Sequence, residues 1–143
     1  IAECDLRTTV LGTELSLPML LAPVGSSRMF YPRGEVVAAG AAGAAGTAYT
    51  LSTLSGCRVD EVKAGTTGPV WYQVYLVGGR DVAMAAIERA RTAGCSALVV
   101  TVDTAVAGLR ERDFRNGSKE LLTRNLWSML KSITELERAL ERV

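Results

Sequence analysis

Four short runs rich in β-branched and apolar residues recur along the chain, at positions 17–24, 47–52, 70–76 and 97–102. None alternates regularly between polar and apolar, which is the pattern of strands covered on both faces, as in a parallel sheet. The segments between them carry helical periodicity. A first helix is expected over 33–45, entered through Pro32, whose fixed φ suits a first turn. Its Gly34, Gly40 and Gly43, with Gly46 just beyond, lower helix propensity but permit close approach to a sheet. A short helix fits 59–64. A third fits 81–93, with Val82, Ala86, Ile87 and Ala90 on one face and Gly94 as its terminator. Strand and helix thus alternate four times, which predicts βαβ units with right-handed crossovers. Ahead of them, 8–11 and 14–16 flank Gly12-Thr13 and predict a small hairpin.

Charge adds an exclusion. The 143 residues hold 16 Lys and Arg against 15 Asp and Glu, a net charge of +1. Neither nucleic acid nor an anionic membrane is attracted by such a balance. Hydrophobic residues at 48% and charged residues at 22% fit an ordinary globular domain. Cys4, Cys57 and Cys95 form no CxxC pair, so a reduced, cytoplasmic location is expected rather than a disulfide framework. Glu3 and Asp5 stand where a secretory leader would be basic and then apolar. No apolar run reaches the roughly 20 residues that a transmembrane helix needs. The count of histidines is 0, which excludes an imidazole base, a histidine metal ligand or a Ser-His-Asp triad supplied by this chain.

Candidate chemistry sits at the C-terminal sides of the expected strands: Gly25-Ser26-Ser27, Ser52-Thr53, Gln73 with Tyr75, and Thr101 with Asp103. In a (β/α) barrel that end binds ligands. There is no GxGxxG after the first strand and no P-loop, so a nucleotide-binding doubly wound sheet lacks its usual signature. Gln73, inside the apolar run WYQVYL, is a buried amide that must find partners. Tyr75 also fits a core aromatic, Asp103 a cap, and Arg110, within RERDFR, a solvated face.

Taken in order, LPMLLAPVGSSRMFYPRGE (17–35), GTAYTLSTLSG (46–56), GPVWYQVYLVGGRD (68–81) and ALVVTVDTAVAGLRERDFRNG (97–117) resemble the FMN-dependent 2-hydroxy-acid dehydrogenases and oxidases. This family includes glycolate oxidase, lactate oxidase, flavin-type lactate dehydrogenase and mandelate dehydrogenase. The resemblance implies an α/β fold of the TIM (β/α)8-barrel class and FMN as cofactor. It implies oxidation of an L-2-hydroxy acid, lactate- or glycolate-like, to the 2-oxo acid. Carried over by position, it puts the backbone of Ala22, Pro23, Val24 and Gly25 beside the flavin ring. Ser52, Gln73 and Thr101 fall at the ring's polar edge. Tyr75 and Arg110 are similar to the substrate-holding residues, a guanidinium being suited to grip both carboxylate oxygens. Asp103 resembles the carboxylate that pairs with the catalytic histidine.

The family's barrel has eight β/α units, typically over about 250 residues, and four are expected here. The family's second half brings a lysine, the proton-abstracting histidine, another arginine and a glycine-rich phosphate segment, and none has a counterpart after Gly117. Residues 1–117 are therefore expected to form the N-terminal half of the barrel, catalytically silent by itself. Residues 118–143 are expected to form an amphipathic helical tail, since Leu122, Leu126, Met129, Ile133, Leu136, Leu140 and Val143 repeat in alternating steps of four and three. Ser132 and Glu135 fit a capping box that divides it. A half barrel leaves open sheet edges, so the expected partners, besides the 2-hydroxy acid, are a second copy of the chain or a complementary half barrel.

Overall fold

The structure, a computed structural model, describes residues 4–76, 78–103 and 111–117. The chain divides into two units, Ile1–Ala105 and Val106–Val143. In the first, strands β1 (Thr8–Val10) and β2 (Thr13–Leu15) form an antiparallel hairpin, with Leu11 and Gly12 in its turn at positive φ. A single 3-10 turn at Ser27–Met29 leads into α1 (Gly34–Ala44). Then come β3 (Tyr49–Leu51), α2 (Val59–Ala64), β4 (Val70–Tyr75), α3 (Arg80–Thr92) and β5 (Ala97–Thr101). The three later strands form one parallel sheet in the order β3-β4-β5.

The run 17–24 does not become a strand. Only Leu21 pairs, as a parallel bridge to Tyr49, donating its N–H to Ala48 at 3.1 Å and accepting from Thr50 at 3.0 Å. The reason is local. Pro18 and Pro23 have no N–H to give a ladder, the Met19 N–H is spent on the Leu17 carbonyl at 2.9 Å, and the Thr47 hydroxyl takes the Met19 carbonyl. The first helix begins at Gly34, leaving Pro32 in the turn before it.

Helices α1 and α3 stop in the same way. After α1, the Gly46 and Thr47 N–H groups return to the Gly43 and Ala42 carbonyls; after α3, those of Gly94 and Cys95 return to Arg91 and Ala90. Gly46 and Gly94 take φ values of +69° and +79°, the left-handed cap that glycine adopts without a Cβ clash. Each cap turns the chain directly into the next strand.

Alternation along β4 divides the core. Val70, Tyr72 and Val74 join Ala39 and Ala42 of α1, Val62 of α2 and Ala86 and Ala90 of α3 in one cluster. Trp71, pointing the other way, packs with Ala48 and with Leu15 of the hairpin. Small residues set the spacing on the helix side: a Cβ added to Gly43 would meet Thr66 Oγ1 at 2.3 Å and Gly68 Cα at 3.2 Å. On α3 the buried stripe is Ala83, Ala86 and Ala90. Val82, expected in that stripe, is 46% exposed: it stands four residues before Ala86 but on the flank of the stripe away from Ala83, outside the sheet contact.

In the second unit the described residues form α4 (Glu111–Arg115), with Arg115 paired to Glu111 at 3.3 Å. Arg110 and the tail expected at 118–143 lie outside the described residues. Among the described residues, no helix is long and apolar enough to cross a membrane.

Candidate functional site

Parallel pairing in register brings the C-terminal ends of β3, β4 and β5 side by side, with Leu51 opposite Tyr72, Gln73 opposite Val99 and Tyr75 opposite Thr101. Gln73, on the Trp71 face of β4, is 1% exposed. Its Oε1 accepts the Ser52 hydroxyl at 3.3 Å and the Thr53 N–H at 3.1 Å, and its Nε2 donates to Thr101 Oγ1 at 2.8 Å. Ser52, Gln73 and Thr101 are thus threaded across three strand ends by one carboxamide. Ser52 Oγ also accepts the Leu54 N–H at 3.1 Å, so its own hydrogen is the one that reaches Gln73.

The segment 22–25 is held against the loop that follows Ser52. The Ser26 N–H donates to the Leu54 carbonyl at 2.8 Å, and a Cβ on Gly25 would stand 3.1 Å from that of Leu54. Ala22, Pro23 and Val24 themselves are exposed, Val24 by 58%. Tyr75 is half-buried, and its N–H donates to Thr53 Oγ1 at 3.1 Å. Asp103 is exposed, two residues beyond Thr101, and makes no hydrogen bond among the described residues. The structure therefore joins Ser52, Gln73 and Thr101 directly and places Tyr75 beside them by register. Segment 22–25 joins them through Leu54, whereas Asp103 stands apart.

Two further residues support these loops: Thr53, read in the sequence only as a polar residue at a strand end, and Glu35, which had no reading as a site residue. Thr53 contacts both the carboxamide and the backbone of Gln73. Glu35, in the first turn of α1, is fully buried, and its Oε1 accepts the Ser27 and Gly56 N–H groups, each at 3.0 Å. One carboxylate so ties the loop after segment 22–25 to the loop after Ser52. Burial opposes its charge, but the bonds from Gly56, the Cys57 thiol and Ser27 outweigh burial and hold its pKa below the ordinary carboxylate value. Conversely, burial and this carboxylate push the Cys57 thiol up, and burial with the same two neighbours pushes Tyr49 up to about 12. The signal for Glu35 was a lone charge in an Ala- and Gly-rich helix; for Thr53 it was its place beside Ser52 among the polar residues at the strand ends.

Elsewhere a cavity of about 240 Å³ is lined by Arg28, Pro32, Arg33, Val36, Cys57 and Glu61. None of the candidate residues borders it. No cluster of His, Cys, Asp and Glu among the described residues is fit for a metal ion. At the strand ends a side-chain amide and hydroxyls, buried at Ser52 and Gln73 and half-buried at Thr101, stand next to an exposed apolar segment. A flat heteroaromatic ring with carbonyls on one side has the matching chemistry, and an isoalloxazine is such a ring.

Comparison with known proteins decides the kinship. The sequence model described as FMN-dependent dehydrogenase matches residues 1–142. The chain belongs to this FMN-dependent dehydrogenase family. Among the relatives of this family member is an L-lactate dehydrogenase of Ectopseudomonas mendocina, 47% identical over 116 residues, which cover 81% of this chain and 31% of the relative. An L-lactate dehydrogenase of Haemophilus influenzae is 44% identical, over 81% of this chain and 30% of its own length. Among solved structures, a mandelate oxidase mutant holding a C4a-OH-FMN adduct matches with a TM-score of 0.75 at 39% identity, covering 79% of this chain and 34% of that one. A glycine-to-alanine mutant of an active chimera of (S)-mandelate dehydrogenase matches with a TM-score of 0.76 at 34% identity, covering 80% of this chain and 32% of the other. The α/β fold is thus that of FMN-dependent TIM-barrel enzymes, and the chain spans about a third of the length of the relatives it matches.

Proposed function

We propose that this chain supplies the flavin-ring side and part of the substrate site for oxidation of an L-2-hydroxy acid, lactate- or glycolate-like, to its 2-oxo acid. The observation that carries the proposal is the Ser52–Gln73–Thr101 thread at the strand ends, the end where barrel enzymes of this architecture bind ligands. Ser52, Gln73 and Thr101 would hold the polar edge of FMN, and the backbone of Ala22, Pro23, Val24 and Gly25 would lie along its face. When bound, FMN supplies the acceptor for the substrate's hydride. Arg110 would hold the substrate carboxylate and Tyr75 its carboxylate or hydroxyl, fixing the alcohol carbon toward the ring. Asp103 would stabilise a protonated base supplied from elsewhere than these 143 residues, which contain 0 histidines. Family membership and the L-lactate dehydrogenase and mandelate oxidase relatives support this reading.

FMN added to the purified chain should show quenched fluorescence, weakly, because phosphate contacts contribute heavily to the affinity for such a group. Gln73→Leu should weaken that binding about tenfold or more, the loss of charge-neutral hydrogen bonds in a dry site. Equal quenching in both proteins would overturn the assignment. The chain alone should fail to reduce FMN with L-lactate or glycolate.

A second reading is favoured by one observation: Leu98, Val100 and Val102, at and beyond β5, are 40%, 46% and 80% exposed. On this reading the chain is a catalytically inactive half barrel that self-associates through its open sheet edges and tail. A colourless dimer that stays colourless with FMN would favour it, whereas a yellow protein would favour the flavin site.

A further inference from the structure

We propose that Thr53 is a positioning residue that fixes the orientation of the Gln73 carboxamide, so that the strand ends present two hydrogen-bond donors, the second Gln73 Nε2–H and the Thr101 hydroxyl, to the acceptor edge of a planar heteroaromatic ligand. The ligand part of this proposal rests on the flavin reading above; the positioning part does not.

The direction of every bond follows from groups that have no choice. A backbone N–H can only donate, so the atom that meets the Thr53 N–H at 3.1 Å must be the carbonyl oxygen of the Gln73 side chain. The Ser52 hydroxyl reinforces this, because its oxygen already accepts the Leu54 N–H and its hydrogen turns to the same Oε1. With Oε1 held from the β3 side, Nε2 faces β5 and gives one hydrogen to Thr101 Oγ1 at 2.8 Å. Having accepted there, Thr101 keeps its own hydroxyl hydrogen to donate. Neither that hydrogen nor the second Nε2–H meets a partner among the described residues, and a buried amide flipped the other way would present a carbonyl instead.

Thr53 also grips the backbone. Its hydroxyl donates to the Gln73 carbonyl and accepts the Tyr75 N–H at 3.1 Å. These are the two groups on β4 that a longer β3 would have paired, but β3 ends at Leu51 while β4 runs on to Tyr75. One threonine therefore replaces a ladder step and, by its own N–H, sets the amide beside it. Valine has nearly the same shape but would leave both backbone groups unpaired and release the loop that carries the N–H.

Gln73 is the single glutamine among the 143 residues, so labelling this chain with side-chain ¹⁵N-glutamine gives one assignable pair of amide protons. The proton bonded to Thr101 should exchange with solvent about tenfold more slowly than its partner. Thr53→Val should shrink that difference to about twofold or less, and Thr53→Ser should restore it; an unchanged difference in Thr53→Val overturns the positioning role. A second measurement needs no variant: the Thr53 N–H, though outside any strand, should be protected in the unsubstituted chain, and finding it as exposed to exchange as a loop amide overturns the proposal. Added FMN should then shift the second Gln73 proton more than the first. Protection with no shift on adding FMN would uphold the clamp and overturn the flavin reading. FMN shifts of equal size in Thr53→Val and the parent would uphold the flavin reading and overturn the clamp.

Discussion

Removing the Glu35 carboxylate tests how firmly the two loops are tied. In Glu35→Ala the Ser27 and Gly56 N–H groups lose the acceptor they share. Each such orphaned donor costs about 1–3 kcal/mol, toward the upper end because the lost acceptor is charged. Together they amount to about 3–6 kcal/mol, a large part of the roughly 5–15 kcal/mol that stabilises an ordinary domain. At about 4–8 °C per kcal/mol for a unit of this size, the melting temperature should fall by more than about 10 °C. Glu35→Gln keeps a neutral acceptor at Oε1 and should lose only about 1–2 kcal/mol. Urea unfolding followed by far-ultraviolet circular dichroism measures both, with an unchanged slope showing that the unfolded state is unaffected. A Glu35→Ala midpoint within about 0.5 kcal/mol of the parent, at equal slope, would refute the strut. The pH dependence carries a sign. The folded pKa lies below the ordinary carboxylate value of 4.5, so this stabilisation is present above that value and is lost as pH falls through the lower folded one. The acid limb of the stability curve should therefore flatten in Glu35→Gln.

Other outcomes follow from single contacts. Gly43→Ala should cost about 1–3 kcal/mol by overpacking, since its new Cβ would stand 2.3 Å from Thr66 Oγ1, while Gly40→Ala, facing only the Gly65 carbonyl at 3.2 Å, should cost clearly less; thermal melts compare them. Iodoacetamide at mildly alkaline pH should modify exposed Cys4 before buried Cys57, whose thiol is pushed up by burial and by Glu35, and peptide mass mapping gives the order. Glu88→Ala, which breaks the exposed 2.6 Å pair with Arg91, should change stability by less than about 0.5 kcal/mol, as judged by the urea midpoint.

The sequence made the later β/α units legible because each has its own boundary marks. Glycine at 46 and 94 closes a helix, and an apolar run free of proline follows each one. The segment 17–24 looked equally apolar, but apolarity alone does not form a ladder when Pro18 and Pro23 remove donors and a neighbouring hydroxyl takes a carbonyl. Gln73 announced itself as a polar residue in an apolar strand, and the need for partners pointed to the two adjacent strand ends. Glu35 stayed hidden because what it holds is backbone, and backbone donors leave no trace in the pattern of side chains; Thr53 showed only as a polar residue after Ser52, with no sign of the backbone groups it holds. Val82 shows the opposite failure: an apolar residue counted into a stripe that small alanines fill instead.

The thread at the strand ends joins residues only 21 and 28 positions apart, each in the module next to its partner. Its closure therefore awaits no distant part of the polypeptide. Once β5 has docked on β4 the last link can form, so on a ribosome this polar seam could set within seconds of Thr101 leaving the exit tunnel. Low sequence separation also makes the seam portable: a duplicated or transplanted block carrying 49–101 takes the whole of it along.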